Sequence, residues 1–327
     1  MYLGVIVKRQ SSIEKDEFIQ GKEVILSAGA VGSPQILLLS GIGPQDELKQ
    51  LDIPVVADLP GVGKNLQDHL ITTIFYLCNV PTLSAHDLTP DNLQKWAVEG
   101  RGILTSCVVE SQAWFQVTDN NKSQVPDIQL HFVPLTMDAD LGMNFNFKPE
   151  VYENYFKPHL TDNKQWTVAA LPTLLHPKSI GEVTLVSSDP LVHPKIDPKY
   201  LENPEDVQVL IAACKKTDQI LTSEPFKNVL TSINENFVQT SKKDNEDQFW
   251  EDYIRNYTLT VYHPVGTCKM GPADDPMSVV TPNTKVKGVK GLRVVDASIF
   301  PDPPSGNTNI PVVAVAERAA DLIKTNA

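Results

Sequence analysis

The chain has 327 residues, 41% of them hydrophobic and 21% charged, enough to bury the core of two ordinary domains or one large one. With 28 Lys and Arg against 40 Asp and Glu, its net charge is −12 and no basic run offsets it, which excludes nucleic acid as a partner class. No apolar run approaches the roughly 20 residues of a membrane span. The four cysteines, Cys78, Cys107, Cys214 and Cys268, have neither zinc-site spacing nor the density of a disulfide scaffold.

The first 70 residues carry the pattern of compact α/β structure. Residues 2–7 read as a short strand rather than as the start of a signal peptide. Residues 23–27 read as a buried strand that runs into a small-residue turn, Ala28 to Gly32, where backbone can approach a ligand closely. Ser33 is expected to N-cap a helix with Pro34 in its first position, Ile36 to Leu39 on its buried face and Gly41 as its left-handed terminator. A second short helix is expected after Pro44, led by Asp46 and Glu47, and residues 53–56 return as an extended segment.

From about residue 71 to 255 the pattern changes. Residues 71–77 and 127–132 alternate with period two and read as half-buried strands, and residues 181–186 read as another. Proline-containing loops fill 134–163, and a helix follows Pro204 with Val207, Leu210, Ile211, Cys214 and Ile220 at helical spacing. This stretch is expected to form a separate lobe, an antiparallel sheet with helices. From about 256 the α/β pattern returns. Residues 291–295 read as a buried strand ending at Asp296, and a last helix is expected from Pro311, with Val312, Val315, Ala316, Ala319, Leu322 and Ile323 along one side.

Three segments could carry chemistry, and each also has a purely structural reading. Gly29 to Pro44 is a capped helix behind a tight turn. Tyr262 to Gly271 sets His263 beside a proline in a Gly-rich loop, where histidine is more often a structural hydrogen-bonder than a catalyst. Residues 295–301 and 305–311 carry a strand into an acid and then a loop into a helix N-terminus. In α/β sheets, ligands bind where a strand's carboxyl end lies beside such a terminus.

Taken together and in this order, these segments resemble the glucose–methanol–choline (GMC) family of flavin-dependent alcohol oxidoreductases. Residues 61–69 (Gly-Val-Gly-Lys-Asn-Leu-Gln-Asp-His) and 176–185 extend the resemblance to nearly the whole chain. It implies an α/β chain, α+β overall. Residues 1–70 and 256–327 would form the C-terminal part of an FAD-binding doubly wound domain, and 71–255 the antiparallel-sheet substrate-binding lobe that interrupts it. The G-x-G-x-x-G fingerprint is absent, so the family's ADP-binding βαβ unit is expected upstream of residue 1 and the chain reads as a portion of a longer enzyme. The wording of the last motifs is most similar to the insect FAD-dependent glucose-dehydrogenase-like branch. That branch implies secretion of the full-length protein, while the residues themselves leave compartment and oligomeric state open.

The resemblance also implies a chemistry. The cofactor is FAD, and the partners are a small-molecule alcohol, sugar or choline-like donor and an electron acceptor, usually not oxygen in the insect-like branch but left open by the residues themselves. No metal is required. Oxidising an alcohol moves a hydride from carbon to flavin and a proton from the hydroxyl to a base, a role suited to a neutral imidazole. His263 is the expected base, with Asn307 holding the substrate oxygen where many relatives carry a second histidine. Their polar atoms are expected roughly 4–7 Å apart, each in reach of one oxygen. Ala28, Gly29, Asp296, Ala297, Thr308, Asn309 and Pro311 are the expected cofactor contacts, with the positive end of the last helix toward the flavin. Two other readings stay open: a cofactor-free truncated product that binds ligand or is inactive, and a lyase on the same fold. A serine hydrolase is excluded by the lack of G-x-S-x-G.

Overall fold

The structure is a computed structural model that describes residues 3–7, 16–118, 125–136, 148–151, 153, 166–232 and 238–325. Much of the expected loop region 134–163 lies outside the described residues. The chain divides into two units. One comprises residues 1–69, 176–202 and 262–327, and the other residues 70–175 and 203–261.

The first unit is built on two short parallel strands. Val24–Leu26 pairs with Leu292–Val294, with Leu26 opposite Val294. Because the strands run parallel, the turns that follow them leave the sheet at the same end. The helix Gly29–Leu39 begins directly in the first turn. This corrects the expected cap: Ser33 lies inside the helix, Pro34 follows it there, and Ala28 occupies the cap position without a side-chain bond. The reason is that Ser33 is buried and hydrogen-bonds across the turn, accepting from the Ala28 N–H at 3.0 Å. Its buried face is Ala30, Ser33, Pro34, Leu37 and Leu38, while Ile36 is exposed. Gly41 ends the segment at φ +77°, and a Cβ there would lie 2.1 Å from Pro54 O, so only glycine fits. The helix Gln45–Gln50 follows with Asp46 and Glu47 in its first turn, the favoured end for acids.

Leu37, Leu38, Val265, Cys268, Val280 and Val294 belong to one buried apolar cluster in this unit, against which Val312 and Val315 pack. Those two residues come from the last helix, Asn309–Thr325, which starts two residues before the expected Pro311. The unit also holds an antiparallel hairpin of Leu3–Val7 with Glu17–Gly21.

Residues 176–202 join this unit rather than the interrupting lobe, which was expected to run unbroken from 71 to 255. Backbone bonding accounts for the difference. The Val183 N–H donates to Gly63 O at 2.7 Å, Leu66 and Gly181 exchange N–H···O bonds, and Val183 is fully buried. Strand Glu182–Thr184 then pairs antiparallel with Lys195–Asp197.

The second unit is an antiparallel sheet. Its strands run in the order Leu230–Ser232, Ile74–Cys78, Trp166–Leu174, Leu70–Thr72 and Thr258–Thr260, and Ile128–Val133 pairs with both Trp166–Leu174 and Ser111–Phe115. The strands at 70–72, 74–78 and 128–133 are buried on both faces, not half-buried as their alternation predicts. Helix Pro204–Leu221, capped by the Asn203 side chain, packs on Trp166–Leu174 and on helix Glu246–Tyr257, capped by Asn245. Phe249, Trp250, Tyr253 and Tyr257 of that second helix are buried together. A polar network is sealed in beside them. The Tyr76 hydroxyl donates to Asp218 Oδ1 at 2.9 Å and Lys242 Nζ to Asp218 Oδ2 at 2.5 Å. Burial, and then the Asp218 charge, push the Tyr76 phenol far above its ordinary range.

Among the described residues no helix is long and apolar enough to cross a membrane.

Candidate active site

The segment carrying His263 is stitched to its neighbours mainly by backbone. Gln67 and Val265 exchange N–H···O bonds at 3.1 and 2.8 Å, and Gly266 N–H donates to Ala297 O at 3.3 Å. Cys268 and Met270 N–H groups continue the ladder to Ser298 and Ile299 oxygens at 2.7 and 2.8 Å. Thr267 Oγ1 donates to Ala30 O at 2.6 Å, which brings the first helix to the same place. The chain can run this close because Gly266 has φ +94° and a Cβ there would sit 2.3 Å from Asn65 O. Tyr262, immediately before the histidine, is itself left-handed at φ +61°, a strained setting for a bulky side chain and one that clusters at functional sites.

His263 is 9% exposed and is held at three points. Its backbone N–H donates to Asp68 Oδ1 at 3.0 Å, and the other oxygen of that buried carboxylate accepts the Tyr200 hydroxyl at 2.5 Å. Its Nδ1 lies 2.9 Å from Nδ1 of His69, a fully buried ring set nearly perpendicular to it. Its Nε2 faces the Asn307 amide, with Nδ2 at 3.4 Å. The two expected catalytic side chains therefore meet, and more closely than the 4–7 Å anticipated, because the amide reaches the ring directly. Two atoms each about 2.8 Å from one oxygen at a tetrahedral angle stand about 4.6 Å apart. The Asn307 side chain is exposed, and its present 3.4 Å from the ring is shorter than that separation by about an ångström.

The expected cofactor residues fall at neighbouring strand ends and at one helix start. Ala28 and Gly29 follow the first parallel strand, and Asp296 and Ala297 follow the second. Asp296 is turned inward. Its Oδ2 accepts from the Gly29 N–H at 2.9 Å and the Ser33 hydroxyl at 2.5 Å, and its Oδ1 accepts from the Ser298 N–H and hydroxyl. Its carboxylate thus sets the shape of both turns. Gly29 lies at φ +78° with open space where a Cβ would stand, and Gly306 is equally open. Thr308 accepts from the Val312 N–H at 3.0 Å as the last helix begins, and Asn309 is exposed beside it. The Ala28 and Gly29 N–H groups are taken up by Ser33 and Asp296, so the turns at the parallel strand ends offer close backbone approach at open glycines and the start of the last helix offers the donors, an arrangement with room for a flavin nucleotide.

Reading the sequence for site residues missed Asp68, His69, Tyr200 and Ser33. The first two stand in the segment Gly61 to His69, where adjacent acid and histidine were the available signal. Nothing local marks Tyr200. Among the described residues no three His, Cys, Asp or Glu side chains are grouped to hold a metal ion.

Two family descriptions, each for GMC oxidoreductase, match residues 2–71 and 177–316. The chain is 39% identical to an alcohol dehydrogenase [acceptor] of Pseudomonas putida, over 98% of this chain and 54% of that protein. It is 35% identical to a glucose dehydrogenase [FAD, quinone] of Drosophila melanogaster, over 98% and 50%. Among solved structures, pyridoxine 4-oxidase from Mesorbium loti superposes with a TM-score of 0.73 at 26% identity, covering 98% of this chain and 54% of that one. The chain spans about half the length of the curated relatives it matches. By the matched segments and by these relatives, the chain belongs to the GMC oxidoreductase family, which uses FAD.

Proposed function

We propose that this chain supplies the catalytic base and the flavin-side contacts of an FAD-dependent enzyme that oxidises the CH–OH group of an alcohol, sugar or choline-like donor. The observation that carries the reading is the imidazole of His263 facing the Asn307 amide at 3.4 Å, on a loop bonded to the turn after Asp296. Asn307 donates to the donor's hydroxyl oxygen and orients it without competing for its proton. His263 Nε2 accepts that proton as the carbonyl forms, within the roughly 10²–10⁴-fold that a positioned base supplies. When bound, the flavin supplies the two-electron acceptor for the carbon-bound hydride. Ala28, Gly29 and Ala297 would hold it through backbone, Asp296 by fixing their turns, and Thr308, Asn309 and Pro311 through the start of the last helix.

An acceptor other than oxygen is part of this proposal, supported by the relatives named as acceptor- and quinone-linked dehydrogenases. Those two relatives differ by only four points of identity, so the similarity is shared between bacterial and insect enzymes. The test is anaerobic mixing of the complete flavin-loaded enzyme, its ADP-binding unit included, with a primary alcohol, a sugar and choline in turn. One class should bleach the visible flavin band. A stoichiometric flavin left oxidised by all three would contradict the reading.

A further inference from the structure

We propose that His69 is a positioning residue that fixes the ring proton of His263 on Nδ1. The inference rests on the reading of His263 as the base. A bond between two Nδ1 atoms at 2.9 Å requires that one of them carry hydrogen and the other accept. The other ring nitrogen indicates which. The Asn307 amide nitrogen, which only donates, lies 3.4 Å from His263 Nε2, and a base must present an unprotonated nitrogen there, so both favour Nε2 as the acceptor. The ring proton of His263 therefore sits on Nδ1 and is donated to His69, whose own proton is on Nε2.

This arrangement leaves the lone pair of His263 on the nitrogen that meets the donor's hydroxyl. Once His263 has taken the hydroxyl proton, its Nδ1–H bond to His69 becomes charge-assisted and stronger. His69 is fully buried and lies next to Asp68, which holds the His263 backbone with one oxygen and the Tyr200 hydroxyl with the other. Ring, backbone and neighbour are thus fixed together, as a base positioned before substrate arrives requires.

The test reads the tautomers directly, by long-range proton–nitrogen correlation spectra of the full chain labelled with ¹⁵N-histidine. His263 should show a protonated Nδ1 and an unprotonated Nε2, and His69 the reverse. In His69→Ala the Nδ1 resonance of His263 should move toward the unprotonated range. His69→Asn, whose side-chain oxygen can stand near the lost Nδ1, should restore it. A wild-type His263 protonated on Nε2 would overturn the proposal, as would an Nδ1 proton unmoved in His69→Ala. If His69→Ala does not fold, the wild-type and His69→Asn spectra decide the matter. The spectra need no donor and no turnover, so a failure of His263 as the base would leave this result standing, and the reverse holds too.

Discussion

The Ser33 hydroxyl donates to Asp296 Oδ2 at 2.5 Å across 263 residues of chain, tying the helix after one parallel strand to the turn after the other. Asp296 is 6% exposed and takes four donors in all, so its replacement leaves several buried groups without an acceptor. Asp296→Asn should lower stability by about 2–3 kcal/mol, and Ser33→Ala by about 1–2 kcal/mol, in urea unfolding followed by circular dichroism. Equal and negligible losses would show that the two turns are held by packing alone.

Gly63 tests the joining of residues 176–202 to the first unit. It has φ +79°, and a Cβ there would stand 2.2 Å from Val183 O. Gly63→Ala should cost at least about 2 kcal/mol, from left-handed backbone and from the carbonyl it would displace. A thermal midpoint unchanged from wild type would mean that the strand Glu182–Thr184 can move aside freely.

Alkaline pH should weaken both units. Cys214 and Cys268 are fully buried, and burial pushes both thiols well above the ordinary value of 9.0. A group whose folded pKa is raised gives stability that is intact below its unfolded value and lost as pH climbs toward the folded one. The unfolded chain sheds these protons from about pH 9 while the folded chain keeps them. Each thiol should then remove about 1.4 kcal/mol of stability per pH unit above that point. The buried Tyr76 and Tyr253 phenols should add to the slope above the ordinary phenol value of 10.0. Urea midpoints between pH 8 and 10.5 measure it, and Cys214→Ala with Cys268→Ala should flatten its first part. A midpoint constant across that range would contradict the burial of these groups.

Much of this was legible in the residues. The apolar run from Val24 into the small-residue turn Ala28 to Gly32, the glycines at 29 and 41, and Asp296 at the end of its strand specify local geometry, so the α/β pattern and its turns could be read. What could not be read depends on distant partners. Ser33 has the chemistry of a cap, and only Asp296, remote in sequence, makes it a buried bridge instead. Residues 181–186 look like any short strand, and only the carbonyls of Gly63 and Leu66 assign them to the first unit. The alternation of residues 71–77 promised one wet face, but residues 70–72 and 74–78 are buried at nearly every position, so both faces are covered. Likewise His263 and Asn307 could be named from their motifs, whereas His69, Asp68 and Tyr200 acquire meaning only once the chain folds them around the same ring.

The most direct measurement is the rate at which a donor alcohol reduces the flavin in His263→Ala of the complete enzyme, its ADP-binding unit included, compared with wild type under anaerobic rapid mixing. The account predicts a rate lower by about 10²–10⁴-fold with the flavin still bound at full stoichiometry, since the cofactor contacts lie elsewhere. A wild-type rate in the variant, or loss of the flavin with no separate effect on the rate, would contradict it.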